Sequence, residues 1–493
     1  MAKYSLSEII QWTGGVLTDE KKPAADLSFA GVCTDTRELV PGSLFIALRG
    51  PRFDGHDFLG KAILEGAAGL VVARGSNLEL PEMTVFTGPV VLVEDTLQAL
   101  QAIAAGYRLT LPGRVVAITG SVGKTSTRQM VAACLGGTMP VHLTSGNLNN
   151  EIGLPLTLLQ AEPSHRAIIL EMGMRAPGEI RLLSQLARPD AAMITNVGFS
   201  HIGRLGSREA ILSAKTELIE GLRPGGLLIL NADDPLLRNW GVHQPGSFRL
   251  AWVTADLDLA RSMSTDAAFT VGATDVCATA GCVDFSVGIF QAGQACGQAC
   301  VHLPFPGHHH VLNMLFGLAC AWDMDIPPAI AAADAAAYEQ TGNRQRLIEA
   351  NGVLIMDDSY NASPESMQAA LQTLAELAEG RRMIAALGGM LELGEFSAPA
   401  HRELGRQAAH LGFSALYLTG SHASDVAAGS RELKPDMTCM VFPDTMDLAK
   451  AISDEIRSGD CVLVKGSRGF TMEQVTAKIL ENLEKRRTTN HDI

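Results

Sequence analysis

No stretch of this 493-residue chain approaches the ~20 apolar residues that a membrane-spanning helix requires, so membrane insertion is not expected. The opening residues, Met1-Ala2-Lys3-Tyr4-Ser5-Leu6-Ser7-Glu8, lack the apolar core of a signal peptide. Basic residues are the minority: 39 Lys and Arg stand against 53 Asp and Glu, giving a net charge of −14. A dedicated nucleic-acid binder carries a basic patch or domain, so that class is disfavoured. An anionic small molecule is not excluded, because a few local cations and a metal ion suffice to hold one. The nine cysteines are odd in number and scattered, with no secretion signal, which points to reduced thiols and a cytoplasmic location. Internal repeats and low-complexity tracts are absent.

What is present is material for packed cores. Hydrophobic residues make up 47% and charged residues 19%, a balance that excludes a largely disordered chain. At roughly 150 residues per domain the length suggests about three domains. Residues 1–85 hold short strand-like pieces such as Ser43-Leu44-Phe45-Ile46-Ala47-Leu48, punctuated by Gly and Pro. A helical stretch over 97–108 leads to Pro112-Gly113, a natural boundary. Apolar strands at 115–119, 167–171, 192–196 and 227–231 then alternate with helical segments, the signature of a parallel α/β sheet. Loose alternation over 245–305 reads as antiparallel strands appended to it. An Ala-rich stretch from Ile326 to Tyr338 reads as linker and helix, opening a last unit with strands at 353–356, 383–387, 415–418 and 461–464. The expected fold is therefore α/β in three domains. They are a small α/β N-terminal domain (1–85), a central P-loop-type, mainly parallel sheet with appended antiparallel strands (86–325), and a C-terminal Rossmann-like α/β domain (326–493).

The most informative segment is Val115-Val116-Ala117-Ile118-Thr119-Gly120-Ser121-Val122-Gly123-Lys124-Thr125-Ser126. A buried strand runs into a glycine-rich turn, and a lysine and two hydroxyl residues open a helix. Glycines let backbone N–H groups turn toward phosphate oxygens, and the helix N-terminus adds partial positive charge. Lys124 would reach the terminal phosphates, and Thr125 would offer an oxygen to Mg²⁺. Ile118 stands where the longer Walker pattern has its first Gly, so this is the shorter T-G-x-x-G-K-[ST] form. Residues 120–126 are thus expected to bind a nucleoside triphosphate. No N-K-x-D base-reading motif follows, which disfavours a GTPase switch.

With its companion segments the loop resembles the Mur ligase family, and the likeness spans about Asp35 to Gly469. Thr34-Asp35-Thr36-Arg37, Pro41-Gly42-Ser43-Leu44-Phe45 and Asp54-Gly55-His56-Asp57-Phe58 resemble the family's N-terminal domain, which holds the uridine diphosphate end of the substrate. Asn149-Asn150-Glu151-Ile152-Gly153-Leu154-Pro155 resembles its substrate-side loop. On that resemblance Thr36, Arg37, Asn149, Asn150 and Asn361 bind substrate. Glu171, His201 and Thr125 hold Mg²⁺. Lys124, Glu171, His201 and Lys215 form the catalytic set, Lys215 matching a lysine that several members carry as a carbamate.

Of Gly307-His308-His309-His310-Val311-Leu312-Asn313, the family pattern G-x-H-x-x-x-N takes up Gly307, His309 and Asn313, leaving His308 and His310 incidental. Neighbouring histidines point in different directions on a helix or a strand, so a shared metal is not expected there. Asn313 would face the adenine. In the last domain, Thr341-Gly342-Asn343-Arg344, Asp357-Asp358-Ser359-Tyr360-Asn361-Ala362-Ser363-Pro364 and Val464-Lys465-Gly466-Ser467-Arg468-Gly469 carry the likeness. Arg344 would reach the nucleotide phosphates, and Asp357 the ribose or the interdomain hinge. Gly389, in Leu387-Gly388-Gly389-Met390-Leu391-Glu392-Leu393-Gly394, stands where the family usually has Asp. Cys277, Cys282, Cys296 and Cys300 are spaced more loosely than C-x₂-C zinc knuckles, and read as strand residues.

The resemblance implies an ATP- and Mg²⁺-dependent ligase acting on UDP-N-acetylmuramoyl-tripeptide and D-alanyl-D-alanine through an acyl phosphate, in peptidoglycan precursor synthesis, and a monomer is expected. The alternative is another amino-acid ligase of the superfamily, adding diaminopimelate or lysine, or a folate polyglutamate ligase. A D-N-P-R acceptor motif, expected of the former, is absent, and the uridine-domain motifs are not expected of the latter.

Overall fold

The computed structural model describes residues 4–18, 27–244, 246–279, 281–338 and 344–491. Of the Thr341–Arg344 motif only Arg344 lies among them. Among the described residues three larger sheets organise the fold, beside a two-stranded pairing of Tyr4–Ser5 with Ser28–Phe29. The first is five-stranded, in the order Val16–Leu17, Val90–Val93, Gly69–Ala73, Leu44–Ile46, Val32–Cys33, parallel apart from the first pairing. Strand Val90–Val93 therefore belongs with the N-terminal sheet, although it lies past the expected boundary at residue 85.

The central sheet has nine strands. Strand Arg114–Thr119, third from one edge, is flanked by the parallel strands Ala167–Glu171 and Ala191–Ile194. Val141–Leu143 lies beyond the first of these, and Leu227–Asn231 and Arg249–Thr254 beyond the second. Strands Phe269–Ala278, Val283–Gln291 and Gln294–Leu303 extend the sheet as the appended antiparallel ladder read from the sequence. The chain reverses its direction of progress at Arg114–Thr119. That is the switch point at which open α/β sheets bind ligands, beyond the carboxyl ends of their strands.

The continuous apolar run of this strand follows from its position. Val115 and Ala117 pack into one core cluster, Val116 and Ile118 into the cluster on the opposite face, and all four are fully buried. A strand covered on both faces needs apolar residues at every position rather than alternate ones.

Helix Thr96–Arg108 ties the first sheet to the second. The Tyr107 hydroxyl donates to Ala161 O at 2.9 Å, and the Tyr4 hydroxyl donates to Leu159 O. Arg108 pairs with Asp190 at 2.9 Å. The Ala-rich helix Pro328–Ala335, grouped in sequence with the last domain, packs instead on helix Lys124–Gly136 and strand Gln294–Leu303 of the central unit. We propose domain divisions near Pro112-Gly113 and after Ala335 on these contacts.

The third sheet has six strands in the order Arg346–Ala350, Val353–Asp358, Asp460–Lys465, Arg382–Leu387, Ala415–Thr419, Thr438–Phe442, parallel apart from the first pairing. Helix Pro364–Ala378 follows the second of these, entered through Ser363 as N-cap with Pro364 at the first turn. That entry presents residues 358–366 toward the central domain.

Candidate active site

The loop after Arg114–Thr119 is held in shape before any ligand arrives. Asn196 Oδ1 accepts from the Ser121 and Val122 amides, both at 3.0 Å, and Thr195 Oγ1 donates to Val122 O at 2.6 Å. A Cβ on Gly120 would lie 1.8 Å from Thr195 Oγ1, so only glycine lets this buttress approach. Helix Lys124–Gly136 begins with no side-chain cap. Its first-turn amides, which have no intrahelical acceptor, are left to an anion.

Lys124 Nζ donates to Gly120 O (2.8 Å) and Ser121 O (3.3 Å). Burial pulls its ammonium below the ordinary lysine range, nearby Glu171 opposes the shift, and Arg344 adds to it. Phosphate oxygens at this position would relieve the same desolvation.

Glu171 ends its strand at the centre of a donor cluster. Its Oε2 accepts from Thr125 Oγ1 (2.8 Å) and Arg128 Nη1 (3.1 Å), and its Oε1 from Asn149 Nδ2 (2.8 Å). The Arg128–Glu171 pair is 3% exposed on both sides. Arg128 was not singled out in the sequence, although it lies four residues after Lys124 and three after Thr125, on the same face of the helix. The hydroxyl and carboxylate oxygens of Thr125 and Glu171, with the imidazole of His201 on the same cavity wall, form a donor set suited to Mg²⁺ completed by water and phosphate.

His201, with a left-handed backbone (φ 66°), donates from Nδ1 to Glu392 Oε2 at 2.5 Å across the interface with the last domain. A carboxylate on Nδ1 fixes the tautomer and leaves Nε2 as the acceptor a metal needs. Burial lowers the His201 pKa, against the pull of Glu392. The same Glu392 meets Arg204 at 3.3 Å, and its carbonyl accepts from Gly203 N at 3.0 Å. Glu365 adds a second crossing, its Oε1 accepting from Phe199 N at 2.7 Å.

Lys215 is 2% exposed. Burial drives its pKa well below the ordinary value; Lys124 reinforces that and Glu365 opposes it.

The last domain closes the other side. In register, Asp358 faces Lys465 at the carboxyl ends of adjacent parallel strands, and Lys465 Nζ donates to Asp358 Oδ2 (2.5 Å) and Asn361 O (3.0 Å). Burial raises the Asp358 pKa, with Lys465 opposing. Arg344 lies over the Tyr360 ring at 4.2 Å. The cavity is about 620 Å³, lined by residues 121–126, Asn149, Asn150, Glu171, His201, Asn313, Arg344, Asp358, Asn361 and Lys465 among others.

The predicted residues do not all line this cavity. Asp357 is absent from the lining; it is buried, its Oδ1 accepts from Ser359 N at 3.1 Å, and its neighbour Asp358 faces the cavity. Successive strand residues point to opposite faces, and the choice between the two aspartates depended on that register. His310 is not incidental: it is buried, lines the cavity and lies within 3.5 Å of Asn313 Nδ2. Asn313 Oδ1 in turn accepts from Thr127 at 2.9 Å. His308 is surface-exposed, 3.7 Å from Glu376. Thr36 and Arg37 do not line the cavity; Arg37 is exposed and paired with Asp35. At Gly389, a Cβ would lie 3.1 Å from the Phe470 ring, which fills the space an aspartate would need.

Comparison with known proteins matches the description "Mur ligase middle domain" over residues 118–321 and "Mur ligase, glutamate ligase domain" over 343–468. Residues 28–108 match "Mur ligase family, catalytic domain". The UDP-N-acetylmuramoyl-tripeptide–D-alanyl-D-alanine ligase of Bacillus subtilis is 36% identical over 491 residues, covering 98% of this chain and 99% of that protein. Its Escherichia coli counterpart is 35% identical, with 98% and 99% covered. The crystal structure of MurF from Acinetobacter baumannii superposes with a TM-score of 0.84 at 26% identity, covering 98% of this chain and 99% of that one. MurF ligase from Thermotoga maritima in complex with ADP gives 0.77 at 28%, covering 92% and 98%.

Proposed function

The chain belongs to the Mur ligase family, and from that premise we infer that it joins D-alanyl-D-alanine to UDP-N-acetylmuramoyl-tripeptide at the expense of ATP, in peptidoglycan precursor synthesis. The observation that carries this reading is the phosphate loop facing Arg344, Asp358 and Lys465 across one cavity, in a chain similar from end to end to ligases of that name.

A carboxylate is a poor electrophile, so it must be activated before an amine can attack it. An oxygen of the tripeptide's terminal carboxylate forms a bond to the γ-phosphorus as the bond to the β-phosphate oxygen breaks, giving an acyl phosphate and ADP. The amine of D-alanyl-D-alanine then bonds to the acyl carbon, loses a proton, and the carbon–oxygen bond to phosphate breaks. Lys124 and the first-turn amides hold the γ-phosphoryl group, and their fixed dipoles offset the charge that develops there. Thr125, Glu171 and His201 would hold Mg²⁺, which when bound offsets charge on the phosphates. Glu392 orients His201 only while the last domain is docked, which couples closure to assembly of the site and to exclusion of water from the acyl phosphate.

Lys215 deprotonated in its buried pocket is the form that reacts with carbon dioxide, releasing a proton and leaving a carbamate anion near Lys124. Asn149, Asn150 and Asn361 line the same cavity and would hold the substrate. Thr36 and Arg37 would hold the uridine diphosphate from the N-terminal domain. No described helix is long and apolar enough to cross a membrane, and the unpaired state of all nine cysteines fits a cytoplasmic place.

The test is phosphate release from ATP with the tripeptide substrate and a panel of amines. Release with D-alanyl-D-alanine, and at least ~10² less with diaminopimelate, lysine or glutamate, is expected, since a site built to pair a dipeptide's polar groups leaves them unpaired with a single amino acid. Equal turnover with a single amino acid would overturn the assignment.

A further inference from the structure

At the far edge of the central sheet, away from the nucleotide cavity, three side chains of different chemistry converge. Asp284 and His302 are direct cross-strand partners in the ladder of Val283–Gln291 with Gln294–Leu303. Cys282 stands two residues before Asp284, and side chains two apart in extended chain share a face. His302 Nδ1 lies 2.8 Å from Asp284 Oδ1, and Cys282 Sγ lies 3.4 Å from Asp284 Oδ2. A sulfur, a nitrogen and a carboxylate oxygen all fall within 4.8 Å of one another. Beside the cluster, Thr279 N donates to Cys282 O at 2.9 Å.

We propose that Cys282, Asp284 and His302 form a binding site for a thiophilic divalent cation of the zinc class. The donor set decides the class. Thiolate is a poor ligand for the hard ions Mg²⁺ and Ca²⁺, whereas a mixed thiolate, imidazole and carboxylate set is that of Zn²⁺. Charge also balances, since a thiolate and a carboxylate neutralise a dication. Donor atoms around a tetrahedral zinc are roughly 3–4 Å apart, given bonds of about 2.0–2.3 Å, so small side-chain rotations complete the geometry. The site is open, with Asp284 and His302 52% and 58% exposed, and an ion can enter from solvent.

A fourth position has a candidate on the neighbouring strand. Cys277 is the cross-strand partner of Asp284 on its other side, and both are exposed on the same face. The row Cys277, Asp284, His302 therefore crosses three adjacent strands, and an ion held there would staple the last of them, which is the sheet's edge. The spacing of the four cysteines does not reveal this, because two of the three converging ligands are not cysteines and the pairing register brings them together.

The experiment titrates Co²⁺ into the full-length, metal-stripped, reduced protein in excess Mg²⁺, followed by Zn²⁺ competition. One equivalent should bind with a near-ultraviolet thiolate-to-cobalt band that Zn²⁺ abolishes. Cys282→Ser should lose the band, and His302→Ala should weaken binding at least tenfold. Cys296→Ser, six residues from His302 along the same strand, should leave both unchanged. Absence of the band in the parent protein, or the same band and affinity in Cys282→Ser and His302→Ala, would overturn the proposal.

Discussion

Replacing Lys124 with Ala is expected to lower kcat by at least ~10³, about 4 kcal/mol of lost transition-state stabilisation, while leaving the protein folded. The two halves of that expectation come from one observation. Lys124 is the one basic side chain of the loop, so no other group on the loop replaces its contact with the γ-phosphoryl group. Burial disfavours its ammonium in the folded protein, which offsets the loss of its bonds to Gly120 O and Ser121 O on removal. The Tm of Lys124→Ala should therefore stay close to that of the parent. A mutant that retains turnover would mean that the loop does not hold the reacting phosphate.

Glu171→Ala should fail differently. It removes the carboxylate on which Thr125, Asn149 and Arg128 converge, and it strands the Arg128 guanidinium, 3% exposed, without its charge partner. Breaking a buried pair from one side costs about 3–5 kcal/mol. For a unit the size of the central domain, ~3 kcal/mol corresponds to roughly 6–12 °C in Tm. Activity should fall by at least ~10³, because the proposed metal ligand is gone as well. The double variant Glu171→Ala/Arg128→Met removes the orphaned charge and should regain most of the lost Tm without regaining turnover. Thermal melts and phosphate release on the same preparations read the two effects separately. Recovery of neither would mean that Glu171 stabilises the fold by some route other than Arg128.

How far the sequence carried varies with the scale of the interaction. The phosphate loop was legible because strand, glycine turn, lysine and hydroxyl are consecutive, and the strands around it because burial on both faces demands unbroken apolar runs. The appended antiparallel strands were legible as a change of texture. Domain limits were less so: Val90–Val93 and Pro328–Ala335 are placed by what they pair with or pack on, which local pattern does not encode. The site's second layer was missed for the same reason. Arg128 could have been found from helical spacing, and Lys465 from its place at a strand end. Glu365 and Glu392 act across the domain interface, and nothing near them in the chain marks them as partners of Phe199 and His201. Asp357 and Asp358 are adjacent, and only the strand register shows which one faces the cavity.

The central claim is that the tripeptide carboxylate is phosphorylated before the amine attacks, and isotope transfer tests it most directly. With ¹⁸O in the terminal carboxylate of the tripeptide substrate, turnover with ATP and D-alanyl-D-alanine should deliver one ¹⁸O to each inorganic phosphate released, alongside ADP. Phosphate free of the label, or AMP and pyrophosphate in place of ADP and phosphate, would contradict it.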